Sequence, residues 1–268
     1  MDDALESRKA LLHELADGAR KIALHFYGRQ DLGVELKSDA SPVTQADRGI
    51  EEYLRTTIQS RFPHDGVLGE ELGESCGESA FRWILDPIDG TVSFANRVPL
   101  FGILIALAHR NANGQDETVL AGVADFPALG ERVIAQRGSG AQWIRDGSAT
   151  QVAKVRQCDR IADALICTSG SEYYIKADRV DAFVRLANCC GRIRGWSDCY
   201  GLLLVATGRA DAMVDPIMHP WDIGPFAVIM PEAGGVITDW SGARRLDGGN
   251  AIAASPRLAV QLRLALQR

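Results

Sequence analysis

Two aspartates three residues apart, Asp86 and Asp89, enclose Pro87 and Ile88 and are followed by Gly90 and Thr91. The apolar run Trp83-Ile84-Leu85 ahead of them reads as a short buried strand, which Pro87 stops by removing a ladder donor. Both carboxylates and the Ile88 carbonyl then crowd one strand end, a hard-oxygen set of the kind Mg²⁺ prefers. Gly90 permits close backbone approach, and Thr91 and Ser93 can cap a following turn whose free N–H groups suit a phosphate. An Asp-Pro turn with capping side chains is the plainer reading of the same residues, so the other acids of the chain must decide.

Those acids recur in similar settings. Val67-Leu68 leads through Gly69 to Glu70 and Glu71, again a strand end, a glycine and carboxylates. Adjacent residues cannot share one face of a strand, so only one of the two glutamates points into a site. Pro220-Trp221-Asp222 puts an acid in the first turn of a helix, where pairing with the helix dipole is the ordinary role. Thr44 and Asp47 fit a capping box, which by itself accounts for Asp47. Trp196 and Asp198, in Gly195-Trp196-Ser197-Asp198-Cys199-Tyr200-Gly201, read either as a core aromatic and a helix cap or as ligand contacts.

Composition bounds the rest. At 268 residues the chain can bury a large core, as one compact unit or two closely joined halves. A net charge of −6 argues against a general nucleic-acid or membrane binder. The same sign opposes a phosphate-ester substrate unless bound cations reverse it locally. The six cysteines show no C-x-x-C spacing, so reduced thiols in a cytoplasm are the simplest account. Neither an apolar leader nor a run of about 18 apolar residues is present, and the expected location is cytoplasmic.

The elements that must position these acids follow in order. Apolar spacing from Leu5 to Phe26 predicts an amphipathic helix over 3–27, closed by Gly28. After the polar stretch 37–47, Ile50, Tyr53, Leu54 and Ile58 form the stripe of a second helix capped by Thr44. The unbroken run 101–107 fits a strand covered on both faces. Asn113-Gly114 marks a turn, and Val119–Phe126 and Arg132–Gln136 read as further strands of an antiparallel sheet. A new cycle starts near residue 150: a strand at 164–167, a helix across 175–186 and an edge-like piece at 192–194. A buried helix then ends at Gly208, and Met213-Val214-Asp215-Pro216 is another strand stopped by Asp-Pro. One helix runs from Pro220 through Ile229, then strands at 236–238 and 251–254 and a closing helix over 256–267.

Taken together, Gly69-Glu70-Glu71, Leu85-Asp86-Pro87-Ile88-Asp89-Gly90-Thr91, Pro220-Trp221-Asp222 and Glu232-Ala233-Gly234-Gly235 resemble the ordered motifs of the inositol monophosphatase family. Within it, the stretch 194–201 with Val205–Ala210 and Val214-Asp215-Pro216 is similar to the histidinol-phosphate phosphatase branch. Ser197 stands where that branch usually has Gly, and Val92 follows D-G-T where Lys is common.

The resemblance implies an α+β fold, a layered α-β-α-β-α sandwich of the inositol monophosphatase / fructose-1,6-bisphosphatase type. It is expected to form one unit over 1–268, with an N-terminal half at 1–148 and a C-terminal half at 149–268, and to assemble as a homodimer. It also implies two to three Mg²⁺ ions and lithium sensitivity. Glu70, Asp86 and the Ile88 carbonyl would hold one ion, and Asp86, Asp89 and Asp222 a second. A third would lie near Glu70, reached by Asp47 through water. Asp47, Glu70 and Thr91 are then the catalytic set, activating and orienting water. Gly90 and Thr91 hold the phosphate, and Trp196 and Asp198 contact the leaving group. The function implied is a phosphomonoesterase acting on histidinol phosphate. An inositol- or other sugar-phosphate phosphatase is the alternative, and a non-catalytic regulatory protein with this fold is a third reading.

Overall fold

The computed structural model describes residues 2–29, 32–36, 42–111, 117–196 and 198–267. Residues 37–41, the Asn113-Gly114 turn and Ser197 lie outside the described residues. The first helix, α1 (Asp2–Phe26), precedes a two-residue ladder of β1 (Glu35–Leu36) and β2 (Pro42–Val43), and α2 (Gln45–Arg61) follows. Then come β3 (Gly66–Gly69), β4 (Gly73–Ser75), β5 (Phe81–Asp89) and the short α3 (Thr91–Ala95). The meander continues with β6 (Gly102–Arg110), β7 (Glu117–Phe126), β8 (Glu131–Gln136), β9 (Ala141–Arg145) and β10 (Gln151–Val152). These strands form an eight-stranded sheet in the order β10-β9-β8-β7-β6-β5-β3-β4, in which β3 and β5 are parallel.

The second sheet begins with β11 (Leu165–Thr168), followed by α4 (Ser171–Lys176), α5 (Val180–Cys189) and β12 (Arg192–Gly195). It is completed through α6 (Tyr200–Ala206), β13 (Ala212–Asp215), α7 (Pro220–Ile223) and α8 (Phe226–Glu232). The last elements are β14 (Val236–Thr238), β15 (Ala251–Ala254) and α9 (Pro256–Gln267). The five strands run in the order β12-β11-β13-β15-β14, which leaves β12 at an edge as its sequence predicts.

Three cores separate five layers. On β6, Ile103, Ile105 and Leu107 face α1 and α2, whereas Leu104, Ala106 and Ala108 face the helices between the sheets. This period-2 alternation with both faces buried is why 101–107 reads as an unbroken apolar run. On the second sheet, Cys167, Met213 and Ala253 face the same middle layer, and Ile166, Val214 and Ile252 face α5 and α9. The order is therefore α-β-α-β-α, as expected.

The structure corrects four local expectations. Pro87 does not stop its strand: β5 continues to Asp89 through a register shift between Asp86 and Asp89. Proline is tolerated there because a bulge needs no ladder donor. Thr91 is the first residue of α3 rather than its cap, which is Gly90 in a left-handed conformation at φ 78°. The helix expected across 175–186 is two, parted where Asp178 adopts φ 55°. The helix expected from Pro220 through Ile229 is also two, α7 and α8, parted at Gly224-Pro225.

That last break sits against the first sheet. A Cβ on Gly122 of β7 would lie 2.7 Å from Pro225 Cα and 2.8 Å from its carbonyl oxygen. Backbone cannot yield as a side chain can, so Gly122→Ala should destabilise the protein by about 1–3 kcal/mol. Thermal unfolding checks this: a midpoint several degrees lower is expected, and an unchanged midpoint contradicts the close approach.

Candidate active site

Parallel pairing brings the first acids together. Gly69 of β3 lies in register with Leu85 of β5, so Glu70 and Asp86 emerge side by side at the same end of neighbouring strands. The Glu70 N–H donates to the Leu85 carbonyl at 3.2 Å. The bulge after Asp86 turns Asp89 to the same side, where its Oδ2 accepts the Cys199 N–H at 2.9 Å. That bond fixes the segment carrying Asp198. From the middle layer, α7 contributes Asp222, whose Oδ2 accepts the His219 N–H at 2.7 Å and closes the first helical turn. The capping role and the delivery of a carboxylate are thus one arrangement.

Side-chain oxygens of Asp86, Asp89 and Asp222 lie within 4.8 Å of one another. Two unit charges at that separation repel by roughly 3–4 kcal/mol at an effective dielectric near 20. Burial comes first in raising all three pKa values, with repulsion from neighbouring carboxylates, Glu70 and Asp198 among them, adding to it. Asp86 and Asp89 lie well above the ordinary carboxylate range, and Asp222 is raised to about 8. Asp86 Oδ1 is buried with no hydrogen-bond partner. An orphaned oxygen among crowded acids fits a divalent cation, because hard oxygens are the donors such ions take.

Asp47 approaches from α2. Its Oδ2 accepts from Thr44 N at 2.8 Å and from Thr44 Oγ1 at 2.5 Å, completing the capping box. Its Oδ1 lies 3.3 Å from Thr91 Oγ1, which is also 3.1 Å from the Ile88 carbonyl oxygen. Burial raises Asp47 to about 6 despite the Thr44 bonds. Asp47 therefore caps a helix with one oxygen and meets Thr91 with the other, reaching the cleft through that hydroxyl rather than lining it.

A cleft of about 460 Å³ opens over this cluster and is lined by Glu70, Asp86, Ile88, Asp89, Gly90, Thr91, Asp198 and Asp222. Glu71 is not in its lining; both glutamates lie in the turn that follows β3, so the turn rather than strand alternation separates them. Trp196, at 37% exposure, is not in the lining either. Ser169, Tyr173, Lys176 and His219 were not singled out from the sequence, yet they line the cleft. His219 stacks on Trp221 with ring centroids 5.0 Å apart. Ser169 is placed by Asp215, whose carboxylate accepts from Thr168 Oγ1 and Ser169 Oγ at 2.7 Å and from Ser169 N at 2.9 Å. The available signal was the Asp215-Pro216 pair, which ends β13, whereas Asp86-Pro87 lies inside β5.

The raised carboxyls make stability depend on pH. A carboxyl whose folded pKa exceeds its unfolded one stabilises the fold when protonated, and this contribution is lost as pH rises through the folded value. Protein treated with EDTA should therefore lose stability as pH rises from about 4 to about 8, the value of Asp222, with Asp86 and Asp89 adding to the decline. Asp222→Asn should make that decline shallower, and added Mg²⁺ or Mn²⁺ should abolish most of it. Melting temperatures measured across this range check the sign, and a rise with pH in EDTA would contradict it.

Comparison with known proteins agrees with this geometry. The model of the inositol monophosphatase family matches residues 4–268. A histidinol-phosphatase of Chlorobaculum parvum is 42% identical over 242 residues, covering 90% of this chain and 89% of that protein. An inositol-1-monophosphatase of Mesorhizobium japonicum is 31% identical over 259 residues, covering 93% of each. The solved structure of extragenic suppressor protein SuhB from Bartonella henselae superposes with a TM-score of 0.86 at 29% identity, covering 98% of this chain and 99% of that one. The family is metal-dependent, in keeping with the acidic cluster. The chain belongs to the inositol monophosphatase family and is a phosphoric monoester hydrolase.

Proposed function

We propose that the chain hydrolyses L-histidinol phosphate to L-histidinol and phosphate, with Mg²⁺ as cofactor. The observation that carries this reading is a fifth acid, Asp198, on the wall of the cleft that holds Glu70 and the Asp86, Asp89 and Asp222 cluster. The cluster accounts for a metal-assisted phosphomonoesterase, and Asp198 accounts for a leaving group that bears a cation. Similarity to histidinol-phosphatases of Chlorobaculum parvum, Streptomyces coelicolor and Mycobacterium tuberculosis at 34–42% identity supports it.

Glu70, Asp86 and the Ile88 carbonyl would hold one Mg²⁺, and Asp86, Asp89 and Asp222 a second, with Asp47 near a third position. Bound there, the cations supply charge neutralisation and polarise the phosphate and its attacking water. The chain's own groups do the positioning. Backbone N–H groups of Gly90 and Thr91, at the start of α3, hold phosphate oxygens. Thr91 Oγ1 orients the attacking water and Asp47 Oδ1 takes up its proton, a role suited to a carboxyl raised to about 6. The new P–O bond forms in line with the ester bond that breaks, and the alkoxide is protonated from solvent. Asp198 pairs with the ammonium of histidinol, and the stacked His219 and Trp221 wall the leaving-group side.

The test uses two substrates in one enzyme. Asp198→Asn should lower kcat/KM for histidinol phosphate by roughly tenfold to a thousandfold, at 1.4 kcal/mol per decade. Hydrolysis of glycerol phosphate, whose leaving group is uncharged, should change little. Equal loss on both, or loss on neither, removes Asp198 as the selector. Wild-type preference for inositol 1-phosphate over histidinol phosphate would overturn the substrate assignment.

A further inference from the structure

The β3–β4 turn that carries Glu70 is held by a buried ion pair on α2. Positions 47, 51 and 55 recur every four residues, so Asp47, Glu51 and Arg55 share one helix face, and all three are buried. Arg55 Nε donates to Glu51 Oε1 at 2.8 Å. The same carboxylate accepts the Glu71 N–H on Oε2 at 2.8 Å and the Leu72 N–H on Oε1 at 3.1 Å. Arg55 also donates to Ser75 Oγ at 2.9 Å and to the Gly73 carbonyl. The Glu70 N–H is itself bonded to Leu85 on β5. Three consecutive N–H groups, at 70, 71 and 72, are therefore fixed between β5 and α2.

Gly69 is part of the same fit. A Cβ there would lie 2.0 Å from Glu51 Oε1, so a side chain at 69 would displace the carboxylate from beneath the turn. A buried ion pair is a weak means of stabilisation, since apolar residues of similar volume often do as well or better. What directed bonds to one turn supply is position.

We propose that Glu51, oriented by Arg55, is a positioning residue that sets Glu70 relative to Asp86. One turn of α2 places Asp47 against Thr91, and the next places Glu51 beneath the Glu70 turn. A single helix thereby fixes two sides of the site in one frame. The proposal rests on the reading of Glu70 as a metal ligand.

The experiment measures Mn²⁺ binding by electron paramagnetic resonance, without substrate, on full-length wild-type protein, Glu51→Ala, Glu51→Gln, Glu70→Gln and Asp65→Asn. Asp65 precedes β3 at the end opposite Glu70 and is held by two bonds from Arg8, so it reports a purely structural loss on the same strand. Glu51→Ala should weaken Mn²⁺ binding roughly tenfold or more, the usual scale for groups that orient a ligand. Glu51→Gln, whose amide oxygen still accepts one N–H, should fall between it and wild type. Asp65→Asn should lower the melting temperature and leave Mn²⁺ affinity unchanged. If Glu51→Ala does not fold, Glu51→Gln decides by the same comparison. Wild-type affinity in the folded Glu51 variants, with weakened binding in Glu70→Gln, overturns the positioning role and keeps Glu70 as a ligand. Wild-type affinity in Glu70→Gln overturns the reading on which the proposal rests.

Discussion

Carboxylates held close together away from water repel one another, and this protein gathers four at one place, two buried and two half-buried. Asp86 and Asp89 come from the end of β5, Glu70 from the adjoining end of β3, and Asp222 from the first turn of α7. Each alone would be an ordinary cap or turn residue. Together they form a site whose ionised state is costly until a cation joins it.

Four of the other buried acids show the contrast. Asp65 is matched by Arg8, Asp125 by Arg20 and Arg132, Asp211 by Arg156, and Glu51 by Arg55. Among the described residues, no Lys or Arg forms an ion pair with Asp86, Asp89 or Asp222. The fold thus distributes its arginines to acids that tie elements together and leaves the cleft acids to one another. Packing holds them there: Ile84 and Leu104 of the first sheet and Ile223, beside Asp222, belong to one core. Repulsion in the cleft is therefore met by apolar burial in the middle layer.

Much of this was legible in the sequence, for reasons that differ by residue. The long apolar run at 101–107 could be read because both faces of β6 are covered. The Thr44–Asp47 box and the Asp86, Asp89 and Asp222 motifs could be read because each is a local pattern with a local cause. The helix break at 224–225 carried a local signal in Gly224-Pro225, but the one at 177–179 was hidden, since where a helix ends depends also on what it packs against. Tyr173 and Lys176 were hidden for the same reason, because α4 reaches the cleft only once the second sheet is assembled. Glu51 carried no signal beyond an i, i+4 spacing with Arg55, which usually marks a solvated pair. Its meaning depends on a turn twenty residues further on.

Burial and crowding raise the pKa values of Asp86, Asp89 and Asp222, so a divalent cation that binds them displaces protons. Calorimetric titration of Mg²⁺ or Mn²⁺ at pH 7, in two buffers of different ionisation enthalpy, measures the protons released per cation bound. Net release is expected, greater than that of an Asp222→Asn variant. Cation binding with no proton release in the wild-type protein, or no binding at all, would contradict it.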